Sequence, residues 1–383
     1  MTSKSYFGRF GSIAVGPLAG TRILEIGAIG PAPVTGMILA DLGAEVVLID
    51  RQSDGSKASL GKDKGQSARA IFNRGKKSIA LDLKQADSIE IARKLVSNSD
   101  ALIEGFRPGA MERLGLGPDD CLSINPGLVY GRMTGWGQEG PLAQAAGHDL
   151  NYIALTGALF HAGHRNEPPF APPTYVGDIG GGAFMLALGI VSALLHVRGG
   201  GKGQVIDASI TDGTATMSVL LLALHQMGIW SNNRADNILD SAAPWYDTYE
   251  CADGKFVTVA ALEPQFYAIL IGKCGFDEDP DFANQMDKSK WPSAKVKMAD
   301  LFKSQTQKQW CELLEGTDAC FAPVLNYEEA AMHRHNVARN TFIQCDGVLQ
   351  PAPSPRFSLT TLGIQSPPPV PGEHTEEILR LLD

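Results

Sequence analysis

The chain has 383 residues, 44% of them hydrophobic and 20% charged, and its formal net charge at pH 7 is −9. A chain of this length can form two domains with buried cores, and its acidic balance argues against nucleic-acid binding, which requires a basic surface. Six cysteines occur without any C-x-x-C spacing. This pattern indicates neither a disulfide framework nor a metal site and favours a reducing, cytoplasmic compartment.

Alternating strand and helix patterns fill the first half of the chain. Short apolar runs predict strands, and segments with helical periodicity predict the helices between them. In chain order we expect a strand at 22–26, a helix at 31–42, a strand at 45–50, a helix at 87–98, strands at 101–106 and 128–133, helices at 147–157 and 180–198, a strand at 204–208 and a helix at 211–230. This succession predicts an α/β fold with a Rossmann-like parallel sheet.

Two features of this half argue against other functions. The longest apolar run, 183–197, is too short to span a bilayer comfortably, so we expect a buried helix and no membrane association. The turn Gly27-Ala28-Ile29-Gly30-Pro31 after the first strand lacks the G-x-G-x-x-G pattern. Nicotinamide binding is therefore disfavoured, although Asp50 ends the second strand where such an enzyme would bind the ribose.

A basic segment runs from residue 51 to residue 77. It contains eight basic residues but only two acidic ones. The basic residues are Arg51, Lys57, Lys62, Lys64, Arg69, Arg74, Lys76 and Lys77, and the acidic residues are Asp54 and Asp63. Glycines and serines in the segment predict a mobile stretch of surface. Two interpretations stay open, a site that closes over a polyphosphate ligand or a solvated loop whose charges only maintain solubility.

The pattern changes after Trp230, which indicates a second, smaller α+β domain. The turn Ala252-Asp253-Gly254 joins two strand patterns and predicts a hairpin over 246–261. Helices are expected at 263–273, 294–302 and 307–315.

The C-terminal part of the chain is rich in proline. Segments 350–355 and 367–371 predict an extended strap, and Thr375 with the acidic residues after it predicts the capped start of a helix at 376–382. We place a discontinuous large domain at 1–210 plus 335–383, the small domain at 235–315, and linkers at 211–234 and 316–334.

Two short motifs carry candidate acid–base chemistry. The first contains Gly147-His148-Asp149, and the second, Val176-Gly177-Asp178-Ile179-Gly180-Gly181-Gly182, supplies another carboxylate. An imidazole and a carboxylate on opposite sides of one carbon can remove a proton from one face and return it to the other, which is the chemistry of a racemase or epimerase. The structural alternatives are a packing role for His148 and an N-cap role for Asp178.

Three further motifs resemble the family III CoA-transferase superfamily. They are Asn73-Arg74-Gly75-Lys76-Lys77-Ser78 with Leu81-Asp82-Leu83, Thr134-Gly135-Trp136-Gly137-Gln138-Glu139-Gly140-Pro141, and Gly372-Glu373-His374-Thr375-Glu376-Glu377-Ile378-Leu379. Within the superfamily, the sequence Gly147-His148-Asp149 resembles that of the racemases. The transferases typically lack this histidine and use the aspartate as nucleophile. The resemblance implies interconversion of 2R and 2S 2-methylacyl-CoA thioesters through an enolate. Coenzyme A is then part of the substrate, and no separate cofactor is expected.

The resemblance also implies roles for individual residues. His148 would serve the S face of the substrate, Asp178 the R face, and Glu263 would orient His148, while Tyr246 lines the acyl pocket or simply packs in the hairpin. Coenzyme A would contact Arg51, Leu81, Asp82, Leu83, Lys84, Gly105, Phe106, Arg107, Arg113, Gly147, Asp149, Leu150, Asn151 and Tyr152. The backbone N–H of Asp149 would face the thioester oxygen. Thr174 departs from the racemase pattern, which has asparagine at this place.

The resemblance implies an interlocked homodimer as well, with Glu263 supplied by the partner's small domain. Two alternatives to the racemase stay open. One is CoA transfer between carboxylic acids through an Asp149 acyl anhydride, and the other is a noncatalytic acyl-CoA-binding dimer.

Overall fold

A sheet of six parallel strands dominates the first part of this computed structural model, which describes residues 16–51 and 71–382. The strands are β1 (Arg22–Ile26), β2 (Glu45–Asp50), β3 (Lys76–Ala80), β4 (Ala101–Glu104), β5 (Val129–Thr134) and β6 (Gln204–Ser209). Their spatial order is β3-β2-β1-β4-β5-β6, so the order reverses between β1 and β4. Ligands of such doubly wound sheets bind beyond the carboxyl ends of the strands at this reversal.

The central strands are apolar on both faces because helices cover both sides of the sheet. Ile23 of β1 belongs to one core, with Leu39 and Ile190 from the helices on that face. Leu24, the next residue along β1, belongs to the core on the other face together with Leu95. This arrangement confirms the predicted α/β class with a parallel sheet.

Seven α-helices before residue 218 accompany the sheet within the described residues. They are α1 (Pro31–Asp41), α2 (Ala86–Ser97), α3 (Ala110–Arg113), α4 (Pro118–Ile124), α5 (Asp149–Ala154), α6 (Met185–Arg198) and α7 (Ile210–Met217), and a 3-10 turn covers Ile71–Asn73. A π-helix over Tyr175–Phe184 leads directly into α6. The alternative interpretation of Asp178 as an N-cap is therefore wrong, because the π-helix already begins at Tyr175. Its glycines permit close packing: a Cβ at Gly213 of α7 would lie 1.8 Å from the carbonyl oxygen of Gly181.

The combined π-helix and α6 form the one helical stretch in the described ranges that is long and apolar enough to cross a membrane. One face of α6 packs on the sheet through Leu186 and Ile190, both fully buried. The opposite face exposes Phe184, Leu188 and Leu195. The run predicted as a buried helix is thus buried on one face only.

Two cations of the basic segment differ from the prediction. Lys76 lies in β3, a strand that the sequence did not reveal, and its buried Nζ is 2.8 Å from Oε1 of the equally buried Glu25. Arg74 is also buried and donates to both carboxylate oxygens of Asp41. These two cations therefore stabilise the fold and belong neither to a mobile surface nor to an anion site. Lys57, Lys62, Lys64 and Arg69 lie outside the described residues.

Two compact units divide the chain. One contains the parallel sheet, runs through Thr156, includes Pro172–Met217 and resumes at Arg339; the other comprises Gly157–Ala171 and Ser218–Ala338. The second unit contains the antiparallel strands β7 (Tyr246–Glu250), β8 (Phe256–Ala260) and β9 (Phe321–Val324), in the order β7-β8-β9. The predicted hairpin is thereby confirmed.

Helices surround the core of the second unit, which includes the buried rings of Trp245, Phe302 and Trp310. The helices from residue 218 onward are α8 (Val219–Gln226), α9 (Pro264–Cys274), α10 (Trp291–Phe302), α11 (Gln307–Leu314), α12 (Tyr327–Met332) and α13 (Arg334–Arg339). Of these, α8 lies within the helix expected at 211–230, and α9 to α11 correspond to the helices expected at 263–273, 294–302 and 307–315.

The C-terminal segment returns to the parallel sheet. It contains a short hairpin, β10 (Phe342–Cys345) and β11 (Val348–Pro351), then an extended stretch, and it ends with α14 (Thr375–Arg380). The N–H of His374 donates to the carbonyl of Ser78, and its Nδ1 accepts from the N–H of Ser78. Thr375 does not cap α14 as predicted, since His374 occupies the N-cap position and the Thr375 hydroxyl accepts from the N–H of Ala80.

Candidate active site

A cavity of about 450 Å³ lies at the carboxyl ends of four strands of the parallel sheet. Residues that follow these strands form much of its wall: residues 29–31 follow β1, residues 105–108 follow β4, residues 135–136 follow β5, and Ile210 follows β6. This position spans the reversal of strand order between β1 and β4, where ligands of such sheets bind.

His148 and Asp178 both line this cavity. His148 occupies the N-cap position of α5 in an extended conformation, and its N–H donates to Oδ1 of Asn151 at 3.1 Å. Asp178 is half-buried and comes from the π-helix. The structure therefore brings the imidazole and the carboxylate of the two predicted motifs to one cavity.

The environment of Asp178 favours its protonated form. Burial is the largest cause that raises the pKa of its carboxyl, and the negative charge of Asp149 adds to the effect, while His148 opposes it. A carboxyl group with a raised pKa can act as a general acid at a pH where ordinary aspartates are ionised.

Asp149 plays a different part from Asp178. Its Oδ1 accepts a hydrogen bond from the backbone N–H of Asp178 at 2.8 Å, and Asp149 is not among the residues that line the cavity. As the first residue of α5, it has a backbone N–H without an acceptor inside that helix.

Tyr152 connects α5 to the turn after β5. Its hydroxyl donates to the carbonyl oxygen of Gly147, and its ring meets the ring of Trp136 edge-on, with centroids 4.8 Å apart. A Cβ at Gly135 would lie 2.0 Å from Cε1 of Tyr152, and one at Gly147 would lie 2.7 Å from the same atom. Both glycines are thus required for the ring to lie where it does.

Ten of the fourteen residues expected to contact coenzyme A fall into two groups. Gly105, Phe106, Arg107, Gly147 and Tyr152 line the cavity. Arg51 follows β2, and Leu81 to Lys84 follow β3, so this second group lies at the same carboxyl edge of the sheet. Arg51 and Lys84 both lower the pKa of Asp82 by their positive charge, after the larger effect of its hydrogen bonds to Gln85 and to the N–H of Lys84.

Several members of this set have other surroundings. Leu81 is buried in the core beside β3, and Leu83 packs against that core. Arg113 ends α3 and is exposed outside the cavity wall, while Leu150 is exposed on α5. The side chain of Asn151 is engaged with the N–H of His148.

Two predicted residues belong to the second unit. Glu263 is exposed at the N-cap position of α9, and Tyr246 of β7 packs against the core of that unit. The orientation of His148 by Glu263 stays a prediction.

An ion-pair network beside the cavity wall was not predicted from the sequence. Arg132 of β5 donates to Oε1 of the buried Glu104 at 2.9 Å, and it also pairs with Glu112. The other oxygen of Glu104 accepts from the N–H of Phe106 at 2.7 Å. The sequence did contain a signal for this ion pair. Glu104 and Arg132 are each the one charged residue of an apolar strand, and opposite charges of this kind are expected to pair when the two strands are neighbours.

Thr174 precedes the π-helix in a left-handed backbone conformation, with φ 61°. Its carbonyl accepts the N–H of Ile179 at 3.0 Å. Asparagine adopts this conformation more easily than threonine does, because threonine is branched at Cβ. The backbone therefore gives a physical reason for asparagine at this place, separate from support of Asp178.

Comparisons with known proteins place the chain in one family. The family model described as CoA-transferase family III matches residues 18–375. The chain is 43% identical over 366 residues to the α-methylacyl-CoA racemase of Mus musculus, which covers 95% of this chain and 92% of that protein. Identity to the Homo sapiens racemase is also 43%, over 365 residues, 94% of this chain and 92% of that protein. The crystal structure of a CAIB/BAIF family protein from Brucella suis superposes with a TM-score of 0.81 at 26% identity, and covers 96% of this chain and 100% of the other.

Proposed function

This chain belongs to the CoA-transferase family III, and we propose that within this family it acts as an α-methylacyl-CoA racemase, which interconverts 2R and 2S 2-methylacyl-CoA thioesters. The observation that carries the proposal is the presence of His148 and Asp178 in the wall of one cavity. Two acid–base groups on opposite sides of one carbon are what inversion by proton transfer requires.

The reaction proceeds by deprotonation on one face and protonation on the other. From the 2S thioester, neutral His148 removes the α-proton, and the carboxylic acid of Asp178 delivers a proton to the opposite face. From the 2R thioester, the carboxylate of Asp178 is the base and the imidazolium of His148 is the acid. Both directions start from a His148–Asp178 pair that holds a single exchangeable proton.

Between the two transfers the substrate is an enolate, whose oxygen carries negative charge. The N–H of Asp149, in the peptide bond that follows the cavity-lining His148, is the donor that we assign to this oxygen, because it has no acceptor within α5. Removal of such a donor costs about 2.7 to 4 kcal/mol in other enzymes. The thioester itself acidifies the α-carbon, so the proposed chemistry uses coenzyme A only as part of the substrate.

CoA transfer through Asp149 is the alternative. A nucleophile must reach the thioester carbon from the cavity. The carboxylate of Asp149 instead accepts the N–H of Asp178. This observation favours the racemase over the transferase.

We extend the proposal to a homodimer. Phe184, Leu188 and Leu195 are 53%, 62% and 73% exposed along one side of the π-helix and α6, and a row of large apolar side chains of this kind is typical of a surface that another protein covers. In an interlocked dimer, Glu263 of a second copy would orient His148. Sedimentation analysis of the wild type and of Leu188→Asp tests the dimer, which the substitution should dissociate.

One assay separates the candidate functions. Enantiopure 2-methylacyl-CoA is incubated with the protein in deuterated water, with and without an acceptor carboxylic acid. Deuterium uptake at the α-carbon together with loss of enantiomeric excess supports the racemase. A new CoA ester that forms only with the acceptor acid supports the transferase, and neither change would indicate a noncatalytic binding protein.

A further inference from the structure

A hydrogen bond joins the two aspartates near the cavity. Oδ1 of Asp149 accepts from the backbone N–H of Asp178 at 2.8 Å. Asp178 is the fourth residue of the π-helix, and the N–H groups in the first turn of any such helix have no acceptor inside it. The carboxylate of Asp149 therefore caps the turn that carries Asp178.

The surroundings of this bond leave no space for a larger residue at position 177. Gly177 is buried, and a Cβ there would lie 2.2 Å from Oδ1 of Asp149 and 2.8 Å from Cγ2 of Ile153. Any side chain at this position would displace the Asp149 carboxylate from the N–H of Asp178. Glycine immediately before Asp178 is thus a steric requirement of the contact between the two aspartates.

We infer that Asp149 is a positioning residue for Asp178: its carboxylate holds the first turn of the π-helix so that the Asp178 carboxyl stays in the cavity wall. The inference rests on the proposed racemase function and adds a role for the aspartate that the transferases use as nucleophile. A charged acceptor suits this role, since hydrogen bonds to a carboxylate are shorter and stronger than those to a neutral oxygen. The same negative charge also contributes to the raised pKa of Asp178.

Three substitutions separate positioning from nucleophilic catalysis. Asp149→Asn keeps an oxygen that can accept the N–H of Asp178 but removes the charge, Asp149→Ala removes both, and Gly177→Ala displaces the carboxylate without removing it. Asp119→Asn is the matched control, because Asp119 is an exposed aspartate of the same unit outside the cavity wall. Circular dichroism and thermal unfolding of each variant establish that it is folded.

The positioning role predicts graded losses of racemisation. We expect kcat of Asp149→Ala and of Gly177→Ala to fall about 100-fold, the scale of a 1 Å misplacement of a reacting group, with little change in KM. Asp149→Asn should retain most of kcat, while the acid limb of its kcat/KM profile moves to lower pH because the charge that raises the pKa of Asp178 is gone. If Asp149→Ala is unfolded, Asp149→Asn and Gly177→Ala decide the result.

Other outcomes would overturn the inference. Equal inactivity of Asp149→Asn and Asp149→Ala would show that a hydrogen-bond acceptor at position 149 is not what the reaction requires. Trapping of an acyl group on Asp149 by hydroxylamine in the wild type would identify a nucleophile. Full activity of folded Gly177→Ala or Asp149→Ala would reject positioning while racemisation by the wild type stands. A wild-type protein that racemises no 2-methylacyl-CoA rejects the proposed function and the inference together.

Discussion

The hydroxyl of Tyr152 donates a hydrogen bond to the carbonyl oxygen of Gly147, the residue directly before His148. The bond fixes the peptide that carries the imidazole, and the perpendicular contact of the Trp136 ring with the Tyr152 ring limits the movement of Tyr152. Tyr152→Phe should lower kcat of racemisation about tenfold, which corresponds to ~1.4 kcal/mol of transition-state stabilisation. Steady-state kinetics with both enantiomers measure the effect. A raised KM with unchanged kcat would indicate instead that Tyr152 mainly contacts coenzyme A.

The raised pKa of Asp178 predicts the pH dependence of the reaction. Burial first, then the charge of Asp149, raises this pKa above the usual aspartate range, against the opposing effect of His148. The active pair holds one proton, so activity is lost as the pH falls through the pKa of Asp178 and the pair becomes doubly protonated. The acid limb of kcat/KM should lie above the ordinary aspartate range and be the same for both enantiomers. An acid limb at the pKa of an ordinary aspartate would contradict the inference that burial raises the pKa of Asp178.

The buried pair of Lys76 and Glu25 predicts a large stability effect. Lys76→Met removes the cation that faces the Glu25 carboxylate, and an uncompensated buried charge costs about 3–5 kcal/mol. Urea unfolding measures the loss, and the double substitution Glu25→Leu with Lys76→Met should recover most of it because neither charge is then buried. A double variant as unstable as Lys76→Met alone would show that the cost comes from packing.

The same pair gives a pH test. Burial raises the pKa of Glu25 from 4.5 to about 6, so between these values the folded protein binds more protons than the unfolded chain. The contribution of this carboxyl to stability is complete below pH 4.5 and is lost as the pH rises through about 6. The stability deficit of Lys76→Met should therefore be smaller at low pH than at neutral pH. An equal deficit at both would show that Glu25 is not the group left uncompensated.

The left-handed backbone of Thr174 predicts a stabilising substitution. A residue branched at Cβ is strained at φ 61°, whereas asparagine tolerates this conformation, so Thr174→Asn should raise the free energy of unfolding by about 1 kcal/mol. Thr174→Gly is the control, because glycine also tolerates this backbone conformation but has no side-chain amide. Faster racemisation by Thr174→Asn without greater stability would point to a hydrogen bond to Asp178 instead.

Much of the parallel sheet could be predicted because its strands carry a local signal. The bounds of β1 and β2 agree with the predicted strands, since each is an apolar run that fits a strand buried on both faces. Strand β3 carried no such signal, because its two lysines resemble surface charges until Glu25, 51 residues away, is seen to pair with Lys76. Long-range pairing of this kind is not visible in a local pattern.

The candidate site could be predicted only in part from the sequence, for a similar reason. The meeting of His148 and Asp178 at one cavity followed from their motifs, but the π-helix that carries Asp178 did not. Its close approach to α7 depends on Gly181 and Gly213, 32 residues apart in sequence, and a run of glycines by itself predicts a weak helix. The N–H of Asp178 donates to Asp149, 29 residues away in sequence, and this bond could not be predicted from spacing.

Stereospecific proton exchange by variants with a single remaining base tests the central claim most directly. His148→Ala and Asp178→Ala are each incubated with enantiopure 2R and 2S 2-methylacyl-CoA in deuterated water, and α-deuterium and enantiomeric composition are followed together. We expect neither variant to racemise, while His148→Ala exchanges the α-proton of the 2R thioester alone and Asp178→Ala that of the 2S thioester alone. Racemisation by either variant at the wild-type rate would contradict the assignment of the two bases.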